Sequence, residues 1–424
     1  MGLKIGVIAD DFTGATDIAG FLVAGGVSTA LLTDLDAASE VAEDTGAVVI
    51  GLKTRSIPAA EAVAQSLAAL ETLQRWGADQ IIFKYCSTFD STPAGNIGPV
   101  TDALLEALEQ DFTVVVPSLP VNGRTVYRAN LFVHGEPLAE SSMRNHPVTP
   151  MSDSNLVRLM EGQSRGRATN VPFDMVERGG DAIREALDEA RKAGFSYVVV
   201  DAMTESHLDA IAGAVADLPL ITGGSGIGGA IAAHHTERSD DSDPVDEWTA
   251  TEAPAIVLSG SSSHATNEQV ARYAAEAPHH SLDLERVLED AEAYRSELLD
   301  WIQTSSTGAS APIVYATDAP KRVLAAQQAY GAERLSGAIE VFLGRLATEL
   351  AEHGFRRFIV AGGETSGAVT RALGVRGFDI GPSIAPGVPW TRALGTDLQL
   401  ALKSGNFGGP DFFFAAQDLP APAA

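Results

Sequence analysis

FIVAGGETSGAVTRAL, residues 358–373, opens with an apolar run, Phe358-Ile359-Val360-Ala361, of the kind that forms a buried parallel strand. The run breaks at Gly362-Gly363, passes through Glu364-Thr365-Ser366-Gly367, and resumes with Ala368, Val369, Ala372 and Leu373 at helical spacing. That reads as strand, tight glycine turn, helix. Paired glycines let backbone approach a ligand, and the hydroxyls of Thr365 and Ser366 can cap the helix. The first turn of a helix presents unpaired N–H groups and a partial positive charge, which suit an anion such as phosphate. The lysine of a P-loop is absent, because Ala368 follows Gly367. A glycine turn after a strand is also ordinary structural punctuation. The rest of the chain decides between the two.

The same rhythm repeats on both sides. Strands are expected at residues 3–9, 27–33, 47–52, 80–85 and 112–116, with helices from about 13 to 25, at 59–76 and at 96–108. Residues 117–150 depart from it with prolines, Gly123-Arg124 and an alternating piece at 125–133, consistent with a hairpin excursion. Alternation returns with a helix at 181–193, a strand at 197–201, a helix near 208–216, a strand at 220–222 and a glycine turn at 223–229. HHTERSDDSDPVDEWTATEA, residues 234–253, is acidic, contains proline and lacks periodicity; residues 236–253 are the expected linker. Beyond it come strands at 255–258, 312–316 and 400–403, helices at 265–277, 284–303 and 335–353, and the glycine loop SGNFGGPDFFF at 404–414. This order implies two α/β domains, residues 1–235 and 254–424, each with a mainly parallel sheet flanked by helices. Ligands of such sheets lie beyond the carboxyl ends of the strands. Here they are expected in the cleft between the domains.

A chain of 424 residues is too long for one core and comfortable for two. With 56 acidic and 29 basic side chains its formal net charge is -27, which argues against a nucleic-acid or anionic-membrane surface. An anionic substrate must then be met by a few local basic groups or by helix N-termini. One cysteine, Cys86, excludes an internal disulfide and points to a reducing, cytoplasmic compartment. A buried inert thiol is the preferred reading of Cys86 over a nucleophile. The opening MGLKIGVIADD lacks the pattern of a signal peptide, and no stretch reaches the ~18 apolar residues of a membrane span. The oligomeric state is left open, a homodimer included.

Asp10 and Asp11 end the first strand, facing the ligand crevice. Alternation along a strand would send one of them into it, as a general base or a hydroxyl ligand. The competing reading is an N-cap for the helix starting near Thr13. Lys84 ends another strand, and with Asp90 it flanks the hydroxyls of Ser87, Thr88 and Ser91. That set suits a small polyhydroxy acid, with Lys84 for its carboxylate; the bland reading is a surface turn followed by an Asn96 cap. Arg55 and Arg144 could clamp a carboxylate bidentately, though each alone reads as an exposed arginine. Residues 224–229, GSGIGG, match G-x-G-x-x-G, but the acidic linker stands where a ribose-binding acid should end a second strand, so the match reads as accidental. No HExxH, CxxC or G-x-S-x-G occurs. The pairs His234-His235 and His279-His280 lack a ligand set and read as surface histidines.

With these residues in hand, the chain resembles the four-carbon acid-sugar kinase family nearly end to end. The family's sugar-binding N-terminal domain carries an opening like Ala9-Asp10-Asp11-Phe12-Thr13-Gly14-Ala15-Thr16-Asp17 and a later Gly223-Gly224-Ser225-Gly226. Its nucleotide-binding C-terminal domain carries turns like Ser259-Gly260-Ser261, Gly362-Gly363-Glu364-Thr365-Ser366-Gly367 and Gly405-Asn406-Phe407-Gly408. Lys84-Tyr85-Cys86-Ser87-Thr88-Phe89-Asp90-Ser91, followed by Gly95-Asn96-Ile97-Gly98, resembles the 3-oxo-tetronate kinases. Threonate and erythronate kinases tend to have a doubled Lys and an Asp-Ser-Thr there. Ala385-Pro386-Gly387-Val388-Pro389-Trp390 and the segment from Leu402 to Pro410 point the same way.

The resemblance implies ATP-dependent phosphorylation of the terminal hydroxyl of 3-oxo-tetronate, with Mg²⁺ whose ligands stay unassigned. Asp11, then Asp10, is the expected base, because both end a strand at the crevice. Thr13, Asp17, Arg55, Lys84, Ser87, Asp90, Arg144, Gly224 and Ser225 would bind the sugar acid. Ser259, Ser261, Gly362, Gly363, Glu364, Thr365, Gly405 and Gly408 would bind the nucleotide. The alternatives are a D-threonate or D-erythronate kinase, an NAD-dependent oxidoreductase using residues 224–229, and a non-catalytic sugar-acid binder.

Overall fold

Short apolar runs become fully buried strands. The computed structural model describes residues 4–145, 149–238, 248, 251–306, 310–317 and 330–418, and the chain divides into two units, residues 1–245 and 246–424. In the first unit the strands are β1 (Ile5–Ala9), β2 (Thr29–Leu32), β3 (Ala47–Gly51), β4 (Gln80–Lys84), β5 (Thr113–Val116), β6 (Arg124–Tyr127), β7 (Asn130–Val133), β8 (Glu136–Pro137), β9 (Ala168–Val171), β10 (Tyr197–Val200) and β11 (Leu220–Gly223). One sheet runs β2-β3-β1-β4-β11-β5-β10-β9, with every pair parallel. Both faces are covered by helices, which is why IGVIA of β1 is buried throughout rather than alternating. From β1 the chain goes outward to β2, returns to β3 and then crosses to β4 on the far side of β1. That reversal opens a crevice at the carboxyl ends of β1 and β4.

β6, β7 and β8 form the expected excursion as a separate antiparallel sheet. Arg128 and Ala129 turn the β6–β7 hairpin with φ of 48° and 60°. Their N–H groups, with that of Phe173 and the amide of Asn170, bind the fully buried Asp201 carboxylate. Burial pushes that carboxyl up in pKa while these donors pull against it.

The second unit has β12 (Ala255–Ser259), β13 (His279–Ser281), β14 (Ile313–Tyr315), β15 (Arg357–Ala361), β16 (Gly377–Ala385), β17 (Val388–Ala393) and β18 (Gln399–Lys403). Their order is β13-β14-β12-β15-β18-β17-β16. The pairs from β13 to β18 are parallel, and β17 runs antiparallel to both neighbours. The chain reverses direction across this sheet between β12 and β15. The core gathers Val257, Tyr273, Ile313, Ile359, Trp390, Phe412 and Phe413. Among the described residues no helix is long and apolar enough to cross a membrane.

Several expectations change. The helix expected at 284–303 is two, Leu284–Glu289 and Ala291–Ser305, because Asp290 leaves helical geometry at φ -140°, ψ 42°. The glycine turns at 223–229 and 362–367 are shorter than they read: helices already begin at Ser225 and Gly363. Helix Ser225–Arg238 reaches into the expected linker, most of which lies outside the described residues. His234, His235 and His280 are half-buried, and only His279 is exposed. His280 reaches the Tyr294 hydroxyl. The β16–β17 hairpin and β9 went unread, since Pro386, Pro389 and scattered glycines mask the period.

Candidate active site

In the first unit β1 ends at Ala9, and the chain turns at once into helix Phe12–Ala24. Strand alternation therefore does not separate Asp10 from Asp11, and both reach Arg55. The Arg55 fork holds Asp10 bidentately, Nε to Oδ2 at 3.0 Å and Nη2 to Oδ1 at 2.8 Å. Its Nη1 lies 2.9 Å from Asp11 Oδ2 and 3.9 Å from Asp90 Oδ2. Asp10 is 5 % exposed. Burial pushes its carboxyl up in pKa and Arg55 opposes this, while the pairing holds the Arg55 guanidinium charged. The Asp11 side chain stays 30 % exposed. It also makes the cap: Oδ1 accepts from Gly14 N at 2.7 Å.

The loop carrying Arg55 is fixed from two sides. Thr54 and Arg55 donate their N–H groups to Asp10 O at 2.9 and 3.2 Å. Asn96, expected as a helix cap, instead donates Nδ2 to Thr54 O at 2.6 Å and Ile57 O at 2.8 Å. Lys84 is 3 % exposed and donates to Tyr85 O at 3.0 Å. A Cβ built on Gly14 would sit 3.1 Å from its ammonium, so glycine lets Lys84 lie against the helix start. The turn after β4 is anchored by Phe89, fully buried edge-on to Tyr85. Phe89 holds φ at 51°, a strained value for a bulky residue, of the kind that clusters at binding sites. Thr88 bridges Cys86 Sγ at 2.9 Å and Asp90 Oδ1 at 2.6 Å. Burial pushes the Cys86 thiol up, in keeping with an inert thiol. Ser91 turns away to Gln163, and Ser87 stays half-buried.

Other expected sugar ligands are placed differently. Arg144 is exposed and donates to Ala139 O at 3.2 Å. Thr13 is exposed, with Thr16 donating to its carbonyl. Ser225 donates to Asp17, so these two satisfy each other. The glycines of the G-x-G-x-x-G match are explained by packing. Cβ atoms would meet Pro117 O at 2.7 Å from Gly224, Ser118 O at 2.8 Å from Gly226 and the Phe21 ring at 3.1 Å from Gly229, and the neighbouring Gly223 and Gly228 are tighter or as tight, against Val116 O at 2.3 Å and Ile18 at 2.7 Å. Gly224 is thus a close-packing residue.

In the second unit Ser259, Ala361 and Lys403 stand level across β12, β15 and β18. The turns after them pack on one another: a Cβ on Gly260 would lie 2.3 Å from Thr365 Oγ1, and one on Gly405 would lie 2.6 Å from Ser261 Oγ. Gly362, at φ 118°, precedes helix Gly363–Ala372, which has no side-chain cap. Thr365 and Ser366 lie inside its first turns and do not cap it. Its first intrahelical bond is Ser366 N to Gly362 O at 2.8 Å. The N–H groups of Gly363, Glu364 and Thr365 come before it, the anion-ready end of a helix. Gly363 has open space on its Cβ side and Glu364 is exposed. By contrast, Ser263 caps helix His264–Ala274.

Ser259 is fully buried, with Oγ 2.6 Å from Thr317 Oγ1 and its carbonyl accepting from Ala316 N at 2.8 Å. Gly408 is required by φ 79° and by the Phe412 ring, 2.6 Å from a Cβ there. Sequence reading missed what fixes this loop. Ser263 and Thr266 hydroxyls donate to Gly405 O, and Gln269 Nε2 donates to the carbonyls of Phe407, Gly408 and Gly409. It also missed Lys403, which ends β18 as Lys84 ends β4.

Residues 5–231 match a family described as a sugar-binding N-terminal domain, and residues 256–413 one described as a nucleotide-binding C-terminal domain. The chain belongs to the four-carbon acid-sugar kinase family. A Brucella melitensis protein named 3-oxo-tetronate kinase is 53% identical over 421 residues, 98% of this chain and 96% of that one. A Salmonella typhimurium protein of the same name is 51% identical over 421 residues, 98% of this chain and 99% of that one. The crystal structure of Haemophilus influenzae protein HI1011 superposes with a TM-score of 0.90 at 47% identity, covering 97% of this chain and 99% of that one. The two matched stretches fall one in each unit of the chain, in that order.

Proposed function

We propose that this protein transfers the γ-phosphoryl group of ATP to the terminal hydroxyl of 3-oxo-tetronate, giving the 4-phosphate and ADP. The full-length likeness to proteins named 3-oxo-tetronate kinase carries the reading, and the residues at the strand ends fit the chemistry. Lys84 offers the ammonium for the substrate carboxylate. Arg55 already meets Asp10 and Asp11, so its part is to hold the carboxylates rather than to clamp the substrate. Asp11 is the proton acceptor, because it is held yet reaches solvent, whereas both oxygens of Asp10 meet Arg55 in a buried place. The hydroxyl oxygen attacks the γ-phosphorus as its proton passes to Asp11. The bond from that phosphorus to the β–γ bridging oxygen breaks, and its electron pair leaves with ADP.

The helix start at 363–365 and the loop at 405 supply backbone for the triphosphate. Among the described residues no group of three or more His, Cys, Asp or Glu could hold a metal. Mg²⁺ would come with the nucleotide and would supply charge neutralisation at the phosphates. Glu364 is the exposed carboxylate at that turn.

A coupled ADP-release assay over four-carbon sugar acids tests the reading. The expected result is the highest kcat/KM for 3-oxo-tetronate. Much higher values for D-threonate or D-erythronate would overturn the substrate. Titration with NAD(H) should show no binding, since the glycines of residues 224–229 serve packing.

A further inference from the structure

Lys403 ends β18, level with Ala361 on β15 and, through it, with Ser259 on β12. It is 1 % exposed. Its ammonium donates to Thr266 Oγ1 at 3.0 Å, to Ser404 O at 3.2 Å and to Gly405 O at 3.2 Å. All three partners are neutral. Among the described residues no carboxylate lies within 4.0 Å of it. A buried cation is ordinarily paired, because desolvation disfavours its charge and an unpaired ion is costly to keep. Among the described residues the companion anion is missing, beside a turn and a helix start suited to phosphate.

We propose that Lys403 is a positioning residue of the nucleotide site, its positive charge holding the 404–405 turn in place and completed electrostatically by the phosphates of the bound nucleotide. The inference rests on the reading of these turns as a nucleotide site and adds the cation that the sequence lacked after Gly367. The ammonium acts through the carbonyls it grips. Those contacts hold the turn from behind, and the charge favours polyphosphate over an uncharged ligand.

Burial lowers the Lys403 ammonium to about 8, so its charge is lost across an accessible range. Other charged groups on the elements around it are Arg357 on β15 and Arg392 on β17, both half-buried, and the exposed His264, Glu268 and Arg272 on helix His264–Ala274, Glu364 and Arg371 on helix Gly363–Ala372, and Asp411. Arg272 pairs with Asp411. Their influence on nucleotide binding would persist in a Lys403 variant, which separates them from it.

The test is calorimetric titration of the full chain with Mg²⁺–ATP and, separately, with adenosine, from pH 7.5 to 9.5. Wild type should lose ATP affinity above about pH 8. Lys403→Arg, charged throughout this range, should bind ATP with a flat profile. Lys403→Met should bind ATP about 10–100-fold more weakly at pH 7.5, the loss expected for one charge-assisted contact, with adenosine binding little changed. Gly363→Val tests the underlying site. ATP affinity unchanged in Gly363→Val would overturn the nucleotide reading and this inference with it. ATP affinity lost in Gly363→Val but retained in Lys403→Met would overturn the inference alone. So would an alkaline fall that persists in Lys403→Arg, a result that decides the matter even if Lys403→Met does not fold.

Discussion

At the sugar-side strand ends, Asp10, Asp11 and Asp90 crowd around the Arg55 guanidinium. At the nucleotide-side strand ends, hydroxyls, carbonyls and glycines surround the Lys403 ammonium. Both sets stand where a parallel sheet reverses its chain direction, and each has a buried lysine closing a strand, Lys84 in one and Lys403 in the other. The difference lies in what neutralises the charge. In the first unit protein carboxylates do so, and one of them remains accessible for proton work. In the second unit the positive charge is left for a ligand. Similar backbone scaffolds thus carry opposite electrostatics, set by a few side chains just past the strands.

The comparison breaks most sharply at Asp11. Asp11→Asn keeps the cap, since Asn caps as well as Asp, and removes the base. kcat should fall about 10²–10⁴-fold with modest change in KM, and thermal stability should barely move. If steady-state kinetics show only a few-fold loss, with Asp10→Asn equally mild, the carboxylate cluster is structural and Asp90 is the next residue to examine.

Arg55→Met tests whether the guanidinium holds that cluster together. Removing one partner leaves Asp10 buried and unpaired, which typically costs about 3–5 kcal/mol. Urea denaturation should register a loss of that order, and Arg55→Lys should recover only part of it, because an ammonium cannot pair bidentately. A loss no larger than that of an exposed arginine would contradict the geometry.

On the nucleotide side, Gly363→Val should be tolerated by the fold, since nothing lies within 4 Å of the added Cβ. ATP binding should weaken about 10–100-fold through lost backbone contacts to phosphate, while sugar-acid binding survives. Loss of both affinities would mean that the two functions are not divided between the units.

The smallest effect is a pH slope. With Lys403 lowered to about 8 in the folded chain and near 10.4 when unfolded, the unfolded state binds more protons between those values. Stability without nucleotide should therefore rise with pH across that window, by no more than about 1.4 kcal/mol per pH unit, while ATP affinity falls. Denaturation curves of wild type and Lys403→Met should differ in this slope; parallel curves would show that the ammonium is not desolvated.

Much of the architecture was legible because its signals are local. Apolar runs such as Ile5–Ala9 and Phe358–Ala361, followed by glycine or aspartate and then helical spacing, need no tertiary contact to be read. The alternation determined two α/β units, and the positions of Asp10, Asp11, Lys84, Gly362 and Gly405 after strands marked them as candidates. What each candidate does was decided only in three dimensions. Asp10 and Asp11 converge because the strand stops one residue too early for alternation to part them. Asn96 holds the Arg55 loop instead of capping a helix. The glycines of residues 224–229 serve close approach to Pro117, Ser118 and Phe21 rather than a dinucleotide. Lys403 looked like one more residue in a glycine-loop motif. Its significance comes from desolvation without a partner, which depends on what long-range packing places around the ammonium and which no local window of sequence contains.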